Sequence, residues 1–338
     1  MRREESPPLT ARASSSPSRL TPHASGLTPH ASVLDTIGNT PLVELKRFSP
    51  REGVRIFAKL EGYNPTGSVK DRIALSMVEN AERDGQIWPG RMLIEPTSGN
   101  TGISLAMVCG LKGYRFTAVM PENVSVERHQ LLRAFGAEVV LTDGSRGSNG
   151  AIEVAQTMVA KDRDCLMLYQ YGNPANPLAH YQTTAPEILR AVPDLTAFVA
   201  GLGTGGTLMG VSRRLKEYDE RIQVVAAEPN LGELVQGLRN LDEGFVPPIL
   251  DLGLLDRKMV VSGEDSIQCT QELLSREGVF AGVSSGAALY CALRFAQRID
   301  RGNIVVLFAD SGWKYLSTEL WTKGTAQASD DLRHQLLW

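Results

Sequence analysis

No apolar run in the 338 residues reaches the roughly 20 needed to cross a bilayer, so a soluble, cytoplasmic protein is predicted. Neither sign of charge dominates. The 35 lysines and arginines against 38 acidic residues leave a formal charge of −3, with no basic cluster to attract nucleic acid, which points to a small-molecule partner. Cysteine is scarce: Cys109, Cys165, Cys269 and Cys291 lie far apart in apolar surroundings, with no C-x-x-C and no Cys/His ligand spacing. That pattern fits buried thiols of a reducing compartment, with a catalytic or zinc-binding role as the lesser reading. Histidine is as sparse. Of the five, His129 and His180 fall in the patterned part of the chain and read as packing or surface residues.

What is present begins with a tail. Residues 1–33 are rich in Ser, Pro, Thr and Ala and carry the tandem Leu20-Thr-Pro-His-Ala-Ser25 and Leu27-Thr-Pro-His-Ala-Ser32; they cannot bury enough apolar surface to order themselves. The arginines and serines suggest a transit peptide, but Glu4 and Glu5 count against one, and no secretory apolar core is present. From Leu34 short apolar runs alternate with helical stripes. Strands are predicted over 55–60, 92–95, 116–120, 138–141, 166–171, 197–201, 223–227 and 304–308. Helices are predicted over 126–135, 151–161, 208–218, 266–277 and 286–299. Strand and helix in alternation define an α/β fold of mostly parallel sheets flanked by helices on both faces. The expected division is a segment 34–62 packing on the larger domain, a smaller mobile domain 63–174, the larger domain 175–323, and a tail 324–338.

In such folds ligands sit beyond the carboxyl ends of strands, where glycine turns lead into helices. Two turns meet that rule. Glu95-Pro-Thr97-Ser98-Gly99-Asn100-Thr101-Gly102 precedes an apolar helix from Ile103, and Gly201-Leu-Gly203-Thr204-Gly205-Gly206-Thr207 precedes one from Leu208. Each offers backbone amides and hydroxyls at a helix start, suited to an anion. A third stretch, Asn64-Pro-Thr-Gly-Ser-Val-Lys70-Asp71-Arg72, places Lys70 at the mouth of an amphipathic helix marked by Ile73, Met77 and Ala81. A helix start disfavours a cation, and partial desolvation would lower the lysine pKa toward a nucleophilic amine. A surface lysine covering its own turn is the alternative. A dinucleotide reading also stays open, because Gly201, Gly203 and Gly206 satisfy G-x-G-x-x-G with Glu228 on the next strand end. It leaves the Lys70 and Thr97–Gly102 turns without a role.

Taken together, Asn64–Arg72, Pro96–Gly102, Gly201–Thr207 and Gly282-Val-Ser284-Ser285-Gly286 resemble the cysteine synthase family of fold type II pyridoxal phosphate enzymes, from about Leu34 to Ser317. The resemblance implies two domains with the active site in the cleft between them, and a homodimer. It implies that Lys70 holds pyridoxal 5'-phosphate covalently, that Asn100 bonds the ring's phenolic oxygen, that Gly203, Thr204, Gly205, Gly206 and Thr207 cradle its phosphate, and that Ser284 faces the pyridine nitrogen. Thr97, Ser98, Thr101 and Gln170 would bind the substrate carboxylate. A serine at the ring nitrogen leaves a weaker electron sink than an aspartate would, which suits β-elimination to an α-aminoacrylate and addition of sulfur to give L-cysteine.

The branch most resembled accepts O-phosphoserine and takes sulfur from a thiocarboxylated carrier protein. The stretches that carry this are Leu238-Arg239-Asn240-Leu-Asp242-Glu243-Gly244-Phe245-Val246-Pro247, Gly312-Trp-Lys314-Tyr315-Leu-Ser-Thr318 and the ending Leu336-Leu337-Trp338. Arg239 would hold the phosphoester. Alternatively it pairs with Asp242 or Glu243 on a solvated loop. O-acetylserine and sulfide stay open as substrates. A cystathionine β-synthase type enzyme and a non-catalytic cleft-binding relative are the other readings. One departure from the family is Ala185, where glycine is usual; a positive φ there would strain the turn.

Overall fold

The computed structural model describes residues 29–97, 99–325 and 327–328. Most of the N-terminal repeat, Ser98 and Leu336-Leu337-Trp338 therefore lie outside the described residues. The Ser32 side chain caps the short turn Val33–Thr36. The strands are β1 (Leu42–Glu44), β2 (Val54–Leu60), β3 (Met92–Pro96), β4 (Arg115–Pro121), β5 (Glu138–Thr142), β6 (Cys165–Met167), β7 (Leu195–Gly201), β8 (Gln223–Pro229), β9 (Arg257–Val261) and β10 (Gly302–Phe308). The α-helices are α1 (Lys70–Arg83), α2 (Asn100–Lys112), α3 (Val126–Ala134), α4 (Gly147–Lys161), α5 (Ala175–Ala179), α6 (Ala185–Ala191), α7 (Gly206–Tyr218), α8 (Gly263–Glu277) and α9 (Val283–Ala296).

Two sheets result, ordered β1-β2-β10-β7-β8-β9 and β5-β4-β3-β6. Every neighbouring pair is parallel except β1 with β2. Both faces of the larger sheet are covered: Ile304, Val306 and Phe308 pack toward α8 and α9, and Val305 and Leu307 toward α6 and α7. This explains why β10 reads as an unbroken apolar run, since a parallel strand buried on both sides has no polar face. The smaller sheet packs on α1 and α2 through Leu93, Ala118, Ile73, Met77 and Ile103.

Several boundaries differ from the sequence reading. The run predicted to extend to Tyr171 is a strand only to Met167, because Tyr169 adopts a positive φ of 57° and accepts a turn hydrogen bond from Gly172. β1 is three residues long and β9 is half-exposed, so neither has enough apolar alternation to be seen. Helices α2 and α9 start three residues earlier than predicted, at Asn100 and Val283, which moves Asn100 and Ser284 from loop to helix. Ala185 has φ −67° and ψ −46°, ordinary helical values, so the departure from glycine carries no strain. Near the C-terminus the predicted tail begins inside the fold, with Ala328 fully buried and Thr325 bonded to Gln271 of α8.

Among the described residues no helix is long and apolar enough to cross a membrane. The four cysteines are buried and unpaired. Burial pushes the thiols of Cys109, Cys269 and Cys291 up to about 12, which keeps them unreactive.

Candidate active site

The carboxyl ends of β2, β3, β7 and β10 converge, and the loops that follow them build one cleft. The turn before α1 is stitched to the end of β10: Val69 N donates to Ala309 O at 2.8 Å, and Ser68 forms an antiparallel bridge with Asp310. The same turn is braced from below by Asp71, buried on α1, which accepts from Thr66 N at 2.7 Å and Ser104 Oγ at 2.5 Å. Lys70 is thereby held at the first residue of the helix, its open side lining the cleft. Among the described residues its ammonium makes no hydrogen bond or ion pair. Burial lowers its pKa and the nearby Asp310 only partly opposes this, so the amine is easier to deprotonate than a surface lysine.

Facing Lys70 is the turn from β7 into α7. Gly205 has φ +87° at the helix cap. A Cβ on Gly203 would lie 2.5 Å from the carbonyl oxygen of Gly237, and one on Gly206 would lie 1.8 Å from Asn176 Oδ1. Only glycine leaves the backbone amides of this turn open to a ligand. Asn176 Nδ2 donates to Thr204 Oγ1 at 3.2 Å, and the Thr207 hydroxyl lies 3.2 Å from His180 Nε2. His180, read from the sequence as a packing residue, is buried, and burial pushes its pKa down to about 3, so it supports Thr207 as a neutral ring. Lys70, Asn100, Gly203, Thr204, Gly205, Thr207 and Ser284 line one continuous cavity, with Gly206 just behind it.

An adjoining cavity holds Lys70, Thr97, Asn100, Thr101, Gln170 and Arg239. Thr97 Oγ1 accepts from Gly102 N at 3.1 Å, and Thr101 Oγ1 donates to Gln170 Oε1 at 2.6 Å. The turn carrying Gln170 is anchored by Glu95 at the end of β3, which accepts from the backbone N of Tyr169 at 2.7 Å and of Gln170 at 2.8 Å. Burial raises the Glu95 carboxyl to about 8 against the opposing pull of the two amides.

Arg239 does not pair with Asp242 or Glu243. Its guanidinium lies over Phe245 at 4.5 Å and Tyr171 at 5.5 Å from the ring centroids, and it makes no ion pair among the described residues. The loop is fixed at both flanks, by Arg239 N to Leu202 O at 2.8 Å and by Leu241 N to Glu228 Oε2 at 3.2 Å. Glu228 is thus buried and turned onto this loop, with Lys258 3.5 Å away, and is not free to hold a ribose. The glycine turn therefore lacks the acidic partner that a dinucleotide site requires.

Residues missed from the sequence complete the cleft. Asp310, two positions past β10, accepts from Asn100 Nδ2 and from the Tyr315 hydroxyl, each at 2.7 Å. Lys314 Nζ donates to Asn100 Oδ1 at 2.7 Å; burial lowers its pKa to about 8 against the pull of Asp310 and Asp71. An acid directly after a long apolar strand was the one signal that could have exposed this cluster.

The geometry joins a buried lysine, an open glycine turn and a set of polar side chains in adjoining cavities. Residues 33–310 match the family described as pyridoxal-phosphate dependent enzyme. Cysteine synthase B of Salmonella typhimurium is 46% identical over 284 residues, covering 84% of this chain and 93% of that protein. Among solved structures, O-ureido-L-serine synthase superposes with a TM-score of 0.83 at 41% identity, covering 87% of this chain and 96% of that one. Cysteine synthase of Entamoeba histolytica superposes with a TM-score of 0.83 at 34% identity, covering 97% and 99%. The chain belongs to the pyridoxal-phosphate dependent enzymes of fold type II, among relatives of the cysteine synthase type.

The open cradle and Lys70, whose ammonium has no partner among the described residues, both fit pyridoxal phosphate. Gly206→Ala, which drives a methyl into Asn176, is expected to weaken cofactor affinity about 10-fold or more, measured by titrating the apoenzyme with pyridoxal phosphate in the visible.

Proposed function

We propose that the protein makes L-cysteine by β-replacement, exchanging the O-linked group of an activated serine for sulfur, with O-phosphoserine as the favoured substrate. The observation that carries this reading is an arginine, Arg239, left without a carboxylate partner on the wall of the cavity that also holds Lys70. Bound through Lys70, the cofactor supplies the electron sink that makes the α-proton of an amino acid removable. Lys70 Nζ would be the base that takes the Cα proton of the substrate, a task its lowered pKa favours. The turn Gly203–Thr207 would hold the cofactor phosphate, Ser284 would meet the ring nitrogen, and Asn100 would meet the ring oxygen. Thr97, Thr101 and Gln170, with Ser98, orient the substrate carboxylate; because their turns belong to the smaller sheet, its closure would shut water out.

Arg239 would stabilise the departing phosphate, and its aromatic platform keeps the guanidinium oriented without neutralising it. The sulfur donor is sulfide or a small thiocarboxylated carrier protein, and the working form is a cytoplasmic homodimer. The buried thiols are at home in a reducing compartment. In the deciding experiment, cysteine formation from sulfide is followed with O-phosphoserine and with O-acetylserine. The phosphoester should be used with the higher kcat/KM, and absence of cysteine from either substrate would refute the reading. Arg239→Ala should lower kcat/KM for O-phosphoserine by ~10- to 100-fold, the worth of a charged hydrogen bond, and change O-acetylserine by less than ~3-fold. Equal losses with both would remove the phosphate assignment alone.

A further inference from the structure

Asn100 stands between two partners of opposite hydrogen-bonding character. Lys314 Nζ, which as an ammonium can only donate, lies 2.7 Å from Oδ1, and the Asp310 carboxylate, which can only accept, lies 2.7 Å from Nδ2. A flipped amide would set NH2 against an ammonium and C=O against a carboxylate, so the two neighbours admit one orientation. Both neighbours are themselves held. Asp310 is 2% exposed, receives the Tyr315 hydroxyl on the same oxygen, and bridges through its backbone to Ser68 in the lysine turn. Lys314 is 4% exposed and rides on the short helix Gly312–Thr318. That helix is bolted to α3 by Glu127, which accepts from Ser317 N and Oγ at 2.9 Å each. With one amide proton given to Asp310 and Oδ1 turned to Lys314, Asn100 keeps one Nδ2 proton for whatever shares the cavity.

We propose that Lys314 and Asp310 are positioning residues that lock the Asn100 amide so that it offers the cofactor ring oxygen a proton and never a carbonyl oxygen. The proposal rests on the pyridoxal phosphate assignment and deepens it. Among the described residues, the hydrogen bond from Lys314 Nζ goes to Asn100. Lys314 would therefore tune the cofactor's electronic state and affinity without discriminating between leaving groups.

The test compares wild type, Lys314→Met, Lys314→Arg, Asn100→Ala and the double variant Lys314→Met/Asn100→Ala, each titrated with pyridoxal phosphate and scanned in the visible. Wild type must show the absorbance of lysine-bound cofactor; its absence would remove the underlying assignment rather than this one. Lys314→Met should displace the absorbance maximum, weaken cofactor affinity ~10-fold, and lower kcat ~10-fold with little change in KM. Lys314→Arg, which keeps a donor, should recover most of each. In the Asn100→Ala background the Lys314→Met change should have no further effect, because its route is already cut. A wild-type spectrum and affinity in Lys314→Met, or equal losses in both backgrounds, overturns the proposal. Should Lys314→Met not fold, Lys314→Gln, whose amide can present either face to Asn100, is read by the same criteria.

Discussion

Lys70→Ala is expected to lose the visible absorbance of covalently held cofactor and to lower kcat by at least ~10³ to 10⁴, the worth of a positioned proton-transfer group. The loss should be this complete because no other amine can step in. Lys314 is the nearest candidate by chemistry, also buried and also lowered in pKa, but its Nζ is committed to Asn100 and it sits on a separate helix. Lys70 itself is made available by three features acting together: the helix start that holds it, the burial that lowers its pKa, and the absence of a partner for its ammonium among the described residues. Cofactor should still bind noncovalently through the Gly203–Thr207 turn, so the variant should retain phosphate-dependent affinity while losing the band. A variant with more than about a tenth of wild-type activity would show that the base lies elsewhere.

Glu61→Ala is expected to destabilise the protein by about 3 to 5 kcal/mol, read from the urea midpoint, because it leaves buried cations short of a partner. Arg72 Nε donates to Glu61 Oε2 at 2.7 Å, and Arg72 Nη1 donates to Glu187 Oε1 at 2.7 Å. Lys59 Nζ donates to Glu187 Oε2 and to Thr40 O, each at 2.6 Å. Two cations and two carboxylates thus balance in a volume where Arg72 and Glu61 side chains are 1% and 0% exposed. Burial alone would raise both carboxyl pKa values, but Arg72 outweighs it, holding Glu61 below its ordinary value and Glu187 down at about 2. Groups with depressed pKa contribute stability that is fully present above the unfolded value, near 4.5, and is lost as the pH falls toward 2. Wild type should therefore lose stability steeply across that window, and Glu61→Ala should show a shallower slope. Activity should fall as well, since Glu61 Oε2 also accepts from Asn64 of the lysine turn at 2.8 Å. A midpoint unchanged from wild type would mean that the network adds nothing net.

Much of this was open to view in one dimension. Apolar runs and helical stripes located eight of the strands because each strand's burial is written in its own residues, and Lys70 and the two glycine turns were conspicuous because short-range backbone geometry demands those residue types. Less visible were features that depend on a partner distant in the chain. Nothing in Gly312–Thr318 says that Lys314 will reach Asn100, 214 positions away, and the local charges Asp242 and Glu243 suggested a partner for Arg239 that the rings of Tyr171 and Phe245 replace. Ser98, expected at the substrate carboxylate, lies outside the described residues.

The amino-acid order by itself determined the α/β architecture, the lysine at a helix mouth and the two glycine turns, because strand burial, helix periodicity and glycine conformation are local properties of the backbone. Tertiary structure decided the rest: that Glu228 serves a loop, that Arg239 meets the rings of Tyr171 and Phe245 and no carboxylate among the described residues, and that Asn100 can face only one way. Hydrogen bonds and ion pairs are short-ranged and directional, so which groups meet is settled only when the two sheets bring their strand ends together.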